Sequence, residues 1–312
     1  MNDTATGPGN SAPGSGRLVA FRRDRLGARL LSIVNAWRIA RDHDLPFCVH
    51  WPVVGGVGTD FNDPTELFSP DFVAQRFIDA DTWRAIRPHV ARIGPFQAHP
   101  PETLAAALHA GTDVMVGTAF GITVLEGEDR ARVTASCREI YRALPFAAPL
   151  QATLGDIAAA LDGAVAYHVR RGDLSGDIKA RNRAWPHKYV PEEYYRAHIR
   201  AEIGRGSTVV LFSDCPATVA RMQDEFPQLR QAADFIETAG LTPAARDFLE
   251  LWAMSSCARI IAPEASAFST TASDLGGVEK VDAKSDLSPE HLREADEALL
   301  ERMRAHPDGM PD

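Results

Sequence analysis

Short, mainly apolar runs separated by helix-length stretches set the tightest limit on how this chain can fold. Residues 18–21, 46–51, 113–116, 164–169, 208–212 and 258–262 each read as a strand. A run that is apolar at consecutive positions is covered on both faces, the mark of a parallel sheet with helices on either side. Between the first two runs Leu30, Ile33, Val34 and Trp37 recur at the helical period, which predicts a helix with one apolar face. Residues 191–203, opening on Pro191, Glu192 and Glu193, predict another, as do 216–226 and 247–256, and a further helix is expected from Ser269 onward. The expected class is α/β.

At 312 residues the chain is long enough for two ordinary domains. Residues 145–149, bracketed by prolines where the apolar periodicity lapses, read as a linker. The expected division is a disordered tail over 1–16, a first lobe over 17–148, a second over 149–285 and a charged amphipathic helix over 286–312. Residues 53–72 are expected to be irregular. The first sixteen residues carry no apolar core of the kind a signal peptide has, and no run approaches a membrane span, so the chain reads as cytoplasmic without an integral membrane segment. A net charge of -9 argues against a nucleic-acid partner. The four cysteines lie far apart, which favours reduced, buried thiols over a disulfide framework or zinc site.

Three of the strands end in polar clusters: His168-Val169-Arg170-Arg171-Gly172-Asp173, Ser213-Asp214, and Glu264 to Ser269. In open parallel sheets ligands bind beyond the carboxyl ends of the strands, so these clusters are expected to converge on one edge. Two adjacent arginines leaving a buried strand are costly unless something anionic meets them. The guanidinium fork suits phosphate or carboxylate. The bland alternative is a structural ion pair with Asp173. Gly55-Gly56-Val57-Gly58 lacks the strand before it and the helix after it that a dinucleotide turn needs.

These clusters resemble the three short motifs of the alpha-1,2, alpha-1,6 and protein O-fucosyltransferase superfamily. His168 to Asp173 matches its His-x-Arg-Arg-x-Asp signature in full. Leu211-Phe212-Ser213-Asp214-Cys215-Pro216 is similar to the second motif, and Glu250-Leu251 through Ser266-Ala267-Phe268-Ser269 to the third. Leu26-Gly27-Ala28-Arg29-Leu30 resembles the family's Gly-Asn-Arg/Gln-Leu loop, with Ala28 in place of the Asn. The matches lie within residues 17–277. The resemblance implies a GT-B-like architecture, two Rossmann-like lobes with parallel sheets facing a cleft, the second lobe holding GDP-fucose as donor substrate and the first the acceptor. It implies that Arg170 holds the beta-phosphate beside Arg171, that His168 lies against the guanine side, and that Asp173 orients the arginines. It places Ser213, Asp214 and Phe268 in the donor pocket with Gly27 and Arg29, lets Ser266 and Ser269 donate to phosphate, and gives the guanine amino groups to Glu250 or Asp247.

Transfer from a nucleotide sugar needs neutralisation of the departing diphosphate. Asp42-His43-Asp44 and Asp79-Ala80-Asp81 have the spacing of a metal-binding pair but fall in expected surface turns, so they read as solvated charges. The expectation is no metal and no cofactor, with the arginines supplying positive charge. An inverting transfer also asks for a base at the acceptor hydroxyl, and Asp177, Glu264 and Asp60 all remain candidates. Trp185 is a candidate for stacking on a sugar ring, while His50 and Trp51 are weaker candidates for the acceptor side. The reading is an inverting, metal-independent fucosyl transfer to an oligosaccharide or glycoconjugate. Transfer of another GDP-linked sugar is one alternative. Given Ala28 and Leu174, a catalytically inactive GDP-sugar- or glycan-binding protein is another.

Overall fold

The computed structural model describes residues 16–54, 61–87, 91–93, 100–117, 121–171, 189–285 and 287–305. The chain forms two compact units. One comprises Met1–Thr153, Gly240–Leu249 and Asp274–Gly277; the other comprises Leu154–Ala239, Glu250–Ser273 and Val278–Asp312.

The first unit contains β1 (Leu18–Phe21), α1 (Leu26–Asp42), β2 (Phe47–His50), α2 (Pro70–Arg76), β3 (Phe77–Ile78), α3 (Ala80–Ile86), β4 (Ala91–Ile93), α4 (Pro101–His109), β5 (Val114–Val116) and α5 (Arg130–Arg142), and α6 (Ala148–Ala160) begins in it. Its sheet runs β3-β2-β1-β5-β4, every pairing parallel. The strands β1, β2 and β5 lie where the apolar runs predict them.

Helix α1 departs from its expected single apolar face. It is buried on nearly every side, because it packs on β1, β2 and β5 and is also covered by α5. Trp37, expected in the core, is instead partly exposed and stacks between Phe47 and Phe72, 5.5 Å from each. The buried polar side chains of α1 tie down neighbouring backbone. Asn35 donates to the Leu31 carbonyl at 2.8 Å and accepts the Thr123 N–H at 2.7 Å. Arg38, fully buried, pairs with Glu128, whose other oxygen accepts the Leu125 N–H at 2.6 Å.

Residues 145–149, expected as a linker, are anchored. Phe146 forms a bridge with Phe68 and its buried ring lies 4.4 Å from Phe248 and 5.9 Å from Phe68. A single aromatic does the packing there, so no periodic signal reaches the sequence. The stretch expected to be irregular ends in an ordered start: Ser69 caps α2 by accepting the Phe72 N–H at 3.3 Å.

The second unit contains β6 (Val165–Val169), α7 (Glu192–Gly204), β7 (Val209–Ser213), α8 (Pro216–Glu225), β8 (Arg230–Gln231), the later part of α9 (Pro243–Ser256), β9 (Arg259–Ala262), most of α10 (Ala267–Gly276), β10 (Glu279–Asp282) and α11 (Pro289–Ala305). Its sheet runs β10-β9-β6-β7-β8, again wholly parallel. The central strand β6 is buried throughout and packs in a core with Tyr195, Ile199, Val209, Leu211 and Ile261. Helix α9 starts four residues earlier than expected, at Pro243, because the Thr242 hydroxyl accepts the Ala245 N–H at 3.2 Å. Helix α10 starts at Ala267 rather than Ser269. Among the described residues no helix is long and apolar enough to cross a membrane. Of the tail expected over 1–16, residues 1–15 lie outside the described residues, and Gly16 is buried, its N–H donating to the Leu108 carbonyl at 2.7 Å.

Removing a buried partner orphans the group it served. Asn35→Ala leaves the Thr123 N–H without its acceptor, and urea denaturation should show a loss of about 2 kcal/mol.

Candidate functional site

The strand order of the second sheet defines where a ligand is to be sought. From β6 the chain adds β7 and β8 on one side, then returns to add β9 and β10 on the other. The reversal lies between β6 and β9, and in open parallel sheets ligands sit outside the carboxyl ends at such a point. The three polar strand ends meet there. His168, at the end of β6, has its Nδ1 3.2 Å from the Ser266 hydroxyl beyond β9. The Ser213 hydroxyl at the end of β7 donates to the Val169 carbonyl at 2.7 Å, and the Asp214 carboxylate accepts the Arg171 N–H at 2.7 Å. The convergence expected from the sequence is thus a set of hydrogen bonds.

The two arginines divide their work. Arg171 is buried; its guanidinium donates to the carbonyls of Arg170 at 2.8 Å and Val190 at 2.9 Å, and it lies 4.7 Å from the Tyr189 ring centroid. It holds the strand end to the entry of α7 and is not placed as a ligand contact. Arg170, one residue earlier, is partly exposed. The His168 carbonyl accepts the Tyr195 hydroxyl at 2.9 Å, and burial pushes that phenol far above its usual range. Sequence reasoning missed Tyr195, whose place in the helix pattern looks like ordinary core.

The serines of the third cluster are turned inward. Ser266 and Ser269 are fully buried; Ser266 meets His168, and the Ser269 hydroxyl donates to the Ser266 carbonyl at 3.4 Å. Their hydroxyls therefore brace the turn, contrary to the expectation that they reach out to phosphate. What this turn presents is the start of α10, whose first backbone N–H groups have no intrahelical acceptor. Phe268 is partly exposed, with its ring centroid 5.7 Å from that of His168. Glu250, also partly exposed, lies on the part of α9 that belongs to this unit.

Asp247 belongs to the first unit, where it pairs with Arg25 at 3.5 Å. Gly27 is buried in the first turn of α1. Arg29, expected beside Gly27 in the donor pocket, is buried, and its guanidinium donates to the carbonyls of Asp24 at 2.8 Å, Pro52 at 3.3 Å and Phe61 at 2.9 Å, with Trp51 4.8 Å away. Burial lowers its pKa to about 10, although Asp24 opposes the shift. It ties the Asp24, Pro52 and Phe61 stretches of the first unit together through Nε and one terminal nitrogen, while its other terminal nitrogen is buried with no hydrogen-bond partner among the described residues. His50 and Trp51 are buried as well; His50 stacks 4.8 Å from Trp83, and burial lowers its pKa.

Asp173, Asp177, Asp60 and Trp185 lie outside the described residues, as does Gly55 to Gly58. Asp79 caps α3 by accepting the Thr82 N–H at 2.7 Å, and Asp81 pairs with Arg84. Among the described residues no three of His, Cys, Asp and Glu come together as a metal site requires.

No family model matches this sequence, and no curated protein matches it by sequence. Solved structures do resemble it. The fucosyltransferase NodZ from Bradyrhizobium matches with a TM-score of 0.52 at 15% identity, over 88% of this chain and 98% of its own. A mutant of Arabidopsis thaliana FUT1 in complex with GDP matches with a TM-score of 0.53 at 11% identity, over 90% of this chain and 74% of its own. The chain has the fucosyltransferase fold. The α/β class and the two parallel sheets expected from the sequence are those of this GT-B-like architecture.

Beside the site, Cys215 stands at the N-cap of α8, partly exposed. Burial alone would raise its pKa, but hydrogen bonds from Thr218 and Ala217 and the charge of Arg221 bring it below the ordinary thiol value. Burial pushes Cys48, Cys137 and Cys257 up to about 12. Cys215 should therefore be the first of the four to be carboxymethylated by iodoacetate near neutral pH, with a rate that levels off at lower pH than for a free thiol. Peptide mapping checks both.

Proposed function

We propose that this protein belongs to the fucosyltransferase superfamily. We infer that it is an inverting, metal-independent glycosyltransferase that moves fucose from GDP-fucose to a hydroxyl of an oligosaccharide or glycoconjugate. The observation that carries the reading is the joining of three polar strand ends at the β6/β9 reversal, with Arg170 partly exposed among them. The fold supports it, as does the GDP held by the Arabidopsis structure.

In this reading Arg170 clamps the beta-phosphate, and the backbone N–H groups at the start of α10 face the diphosphate. Both oppose the negative charge that grows on the leaving group as the bond to the sugar breaks. His168 and Phe268 line the nucleotide side, and Glu250 reads the guanine amino groups. Arg171 and Asp214 fix the direction of the strand end. Inversion requires one displacement, with a carboxylate taking the proton from the acceptor hydroxyl. Asp173 orients Arg170, and Asp177 is the base proposed. Charge neutralisation by arginine leaves no step that needs a metal.

Two measurements test this. A donor screen read as nucleotide release should show GDP release from GDP-fucose with a suitable acceptor, and this activity should survive a chelator. A strict metal requirement would remove the arginine-based mechanism, and preference for a different nucleotide sugar would replace the donor. Arg170→Ala should lose the thermal stabilisation by GDP and lower kcat by about 10² to 10³, the scale of losing one donor to developing charge. Unchanged GDP affinity in that variant would sink the donor-site assignment.

A further inference from the structure

Ser266, in the turn between β9 and α10, and Phe268, in the first turn of α10, both lie against the His168 ring. The leading residue of the β9–α10 turn, Glu264, is exposed, and a turn at a sheet edge with an exposed backbone is not rigid by itself. Two charged side chains from the edge strand β10 hold it. The Lys280 ammonium donates to the Glu264 carbonyl at 2.8 Å and to the Thr270 hydroxyl at 2.8 Å. The Asp282 carboxylate accepts the Glu264 N–H at 3.2 Å, and its other oxygen accepts the Lys284 N–H at 2.7 Å. Both backbone polar groups of Glu264 are thus held from β10.

The geometry has a simple origin. Side chains two apart on a strand share a face, so Lys280 and Asp282 emerge together. The parallel register sets Lys280 opposite Ile260 and Asp282 opposite Ala262, the last residue of β9. The pair therefore stands beside the point where the chain leaves the sheet. Lysine fits this position because its acceptors lie on different elements, a backbone carbonyl in the turn and a hydroxyl in the first turn of α10. An ammonium has three rotatable donors for such a pair, where a guanidinium has a planar fork.

We propose that Lys280 and Asp282 are positioning residues for the nucleotide site, fixing through Glu264 and Thr270 the turn that sets Ser266 and Phe268 against His168. The inference rests on the nucleotide reading of that site. Neither residue belongs to the three polar clusters at the ends of β6, β7 and β9, and neither touches the ligand in this scheme. They act by keeping the His168 ring and the start of α10 in one arrangement before the ligand arrives, which removes an ordering cost from binding.

The test uses the full chain with Lys280→Met, which keeps the stem and removes the donors, and Asp282→Ala as an independent variant. Three quantities are read: the melting temperature without ligand, the imidazole ¹⁵N resonances of His168, and the calorimetric Kd for GDP. The expected result is a melting temperature close to the wild type, displaced His168 resonances, and GDP binding weaker by about tenfold, the scale of one lost charge-assisted hydrogen bond. Unchanged His168 resonances and unchanged GDP affinity in both variants would overturn the proposal. A wild-type chain that binds no GDP would sink the nucleotide reading instead, while displaced His168 resonances in Lys280→Met would still establish the brace.

Discussion

A buried guanidinium dictates the shape of the strand end on which the site is built. Arg171 cannot stay inside the second unit without acceptors, and it takes them from the carbonyls of Arg170 and Val190 while lying against Tyr189. Its backbone N–H goes to Asp214, so one residue joins the ends of β6 and β7 to the entry of α7. The neighbouring Arg170 is partly exposed. Adjacent arginines in a motif thus differ: one is buried and builds the wall, and the other keeps part of its surface exposed.

The same use of arginine recurs in the first unit. Arg29 and Arg38 are both buried in α1 and both tie separate stretches of chain together, Arg29 through carbonyls and Arg38 through Glu128. Planar, many-donor side chains do this better than lysine, whose compact charge is more strongly hydrated. The rarity of lysine in the chain, confined to Lys179, Lys188, Lys280 and Lys284, gives the Lys280 contact its separate character.

Much of this was legible in the sequence, for physical reasons that also explain what was not. The strands β1, β6 and β9 announce themselves because burial on both faces demands unbroken apolar runs. The meeting of their polar ends follows from the geometry of a parallel sheet. The strand Glu279–Asp282 was invisible because an edge strand needs no such run, and β3 and β8 are too short to leave a period. Hydroxyl direction could not be read either: Ser266 and Ser269 have the composition of a phosphate loop, yet a buried imidazole and a carbonyl take their hydrogen bonds. For Arg29 the expectation came from the resemblance of its loop, and only the closeness of Pro52 and Phe61 shows what its guanidinium meets.

The division of the chain into units also bears on how the protein is made. The first unit includes Gly240–Leu249 and Asp274–Gly277 as well as the first half of the sequence. Its core is unfinished without them, since the buried Phe146 ring lies against Phe248. A chain emerging from the ribosome therefore releases β6, β7 and β8 of the second sheet before Phe248 can cover that ring. Folding strictly in order of synthesis, the usual habit of two-domain proteins, leaves that contact unmade until the later segment arrives. Part of the first unit's apolar interior, the face of the Phe146 ring, stays uncovered until Phe248 has appeared.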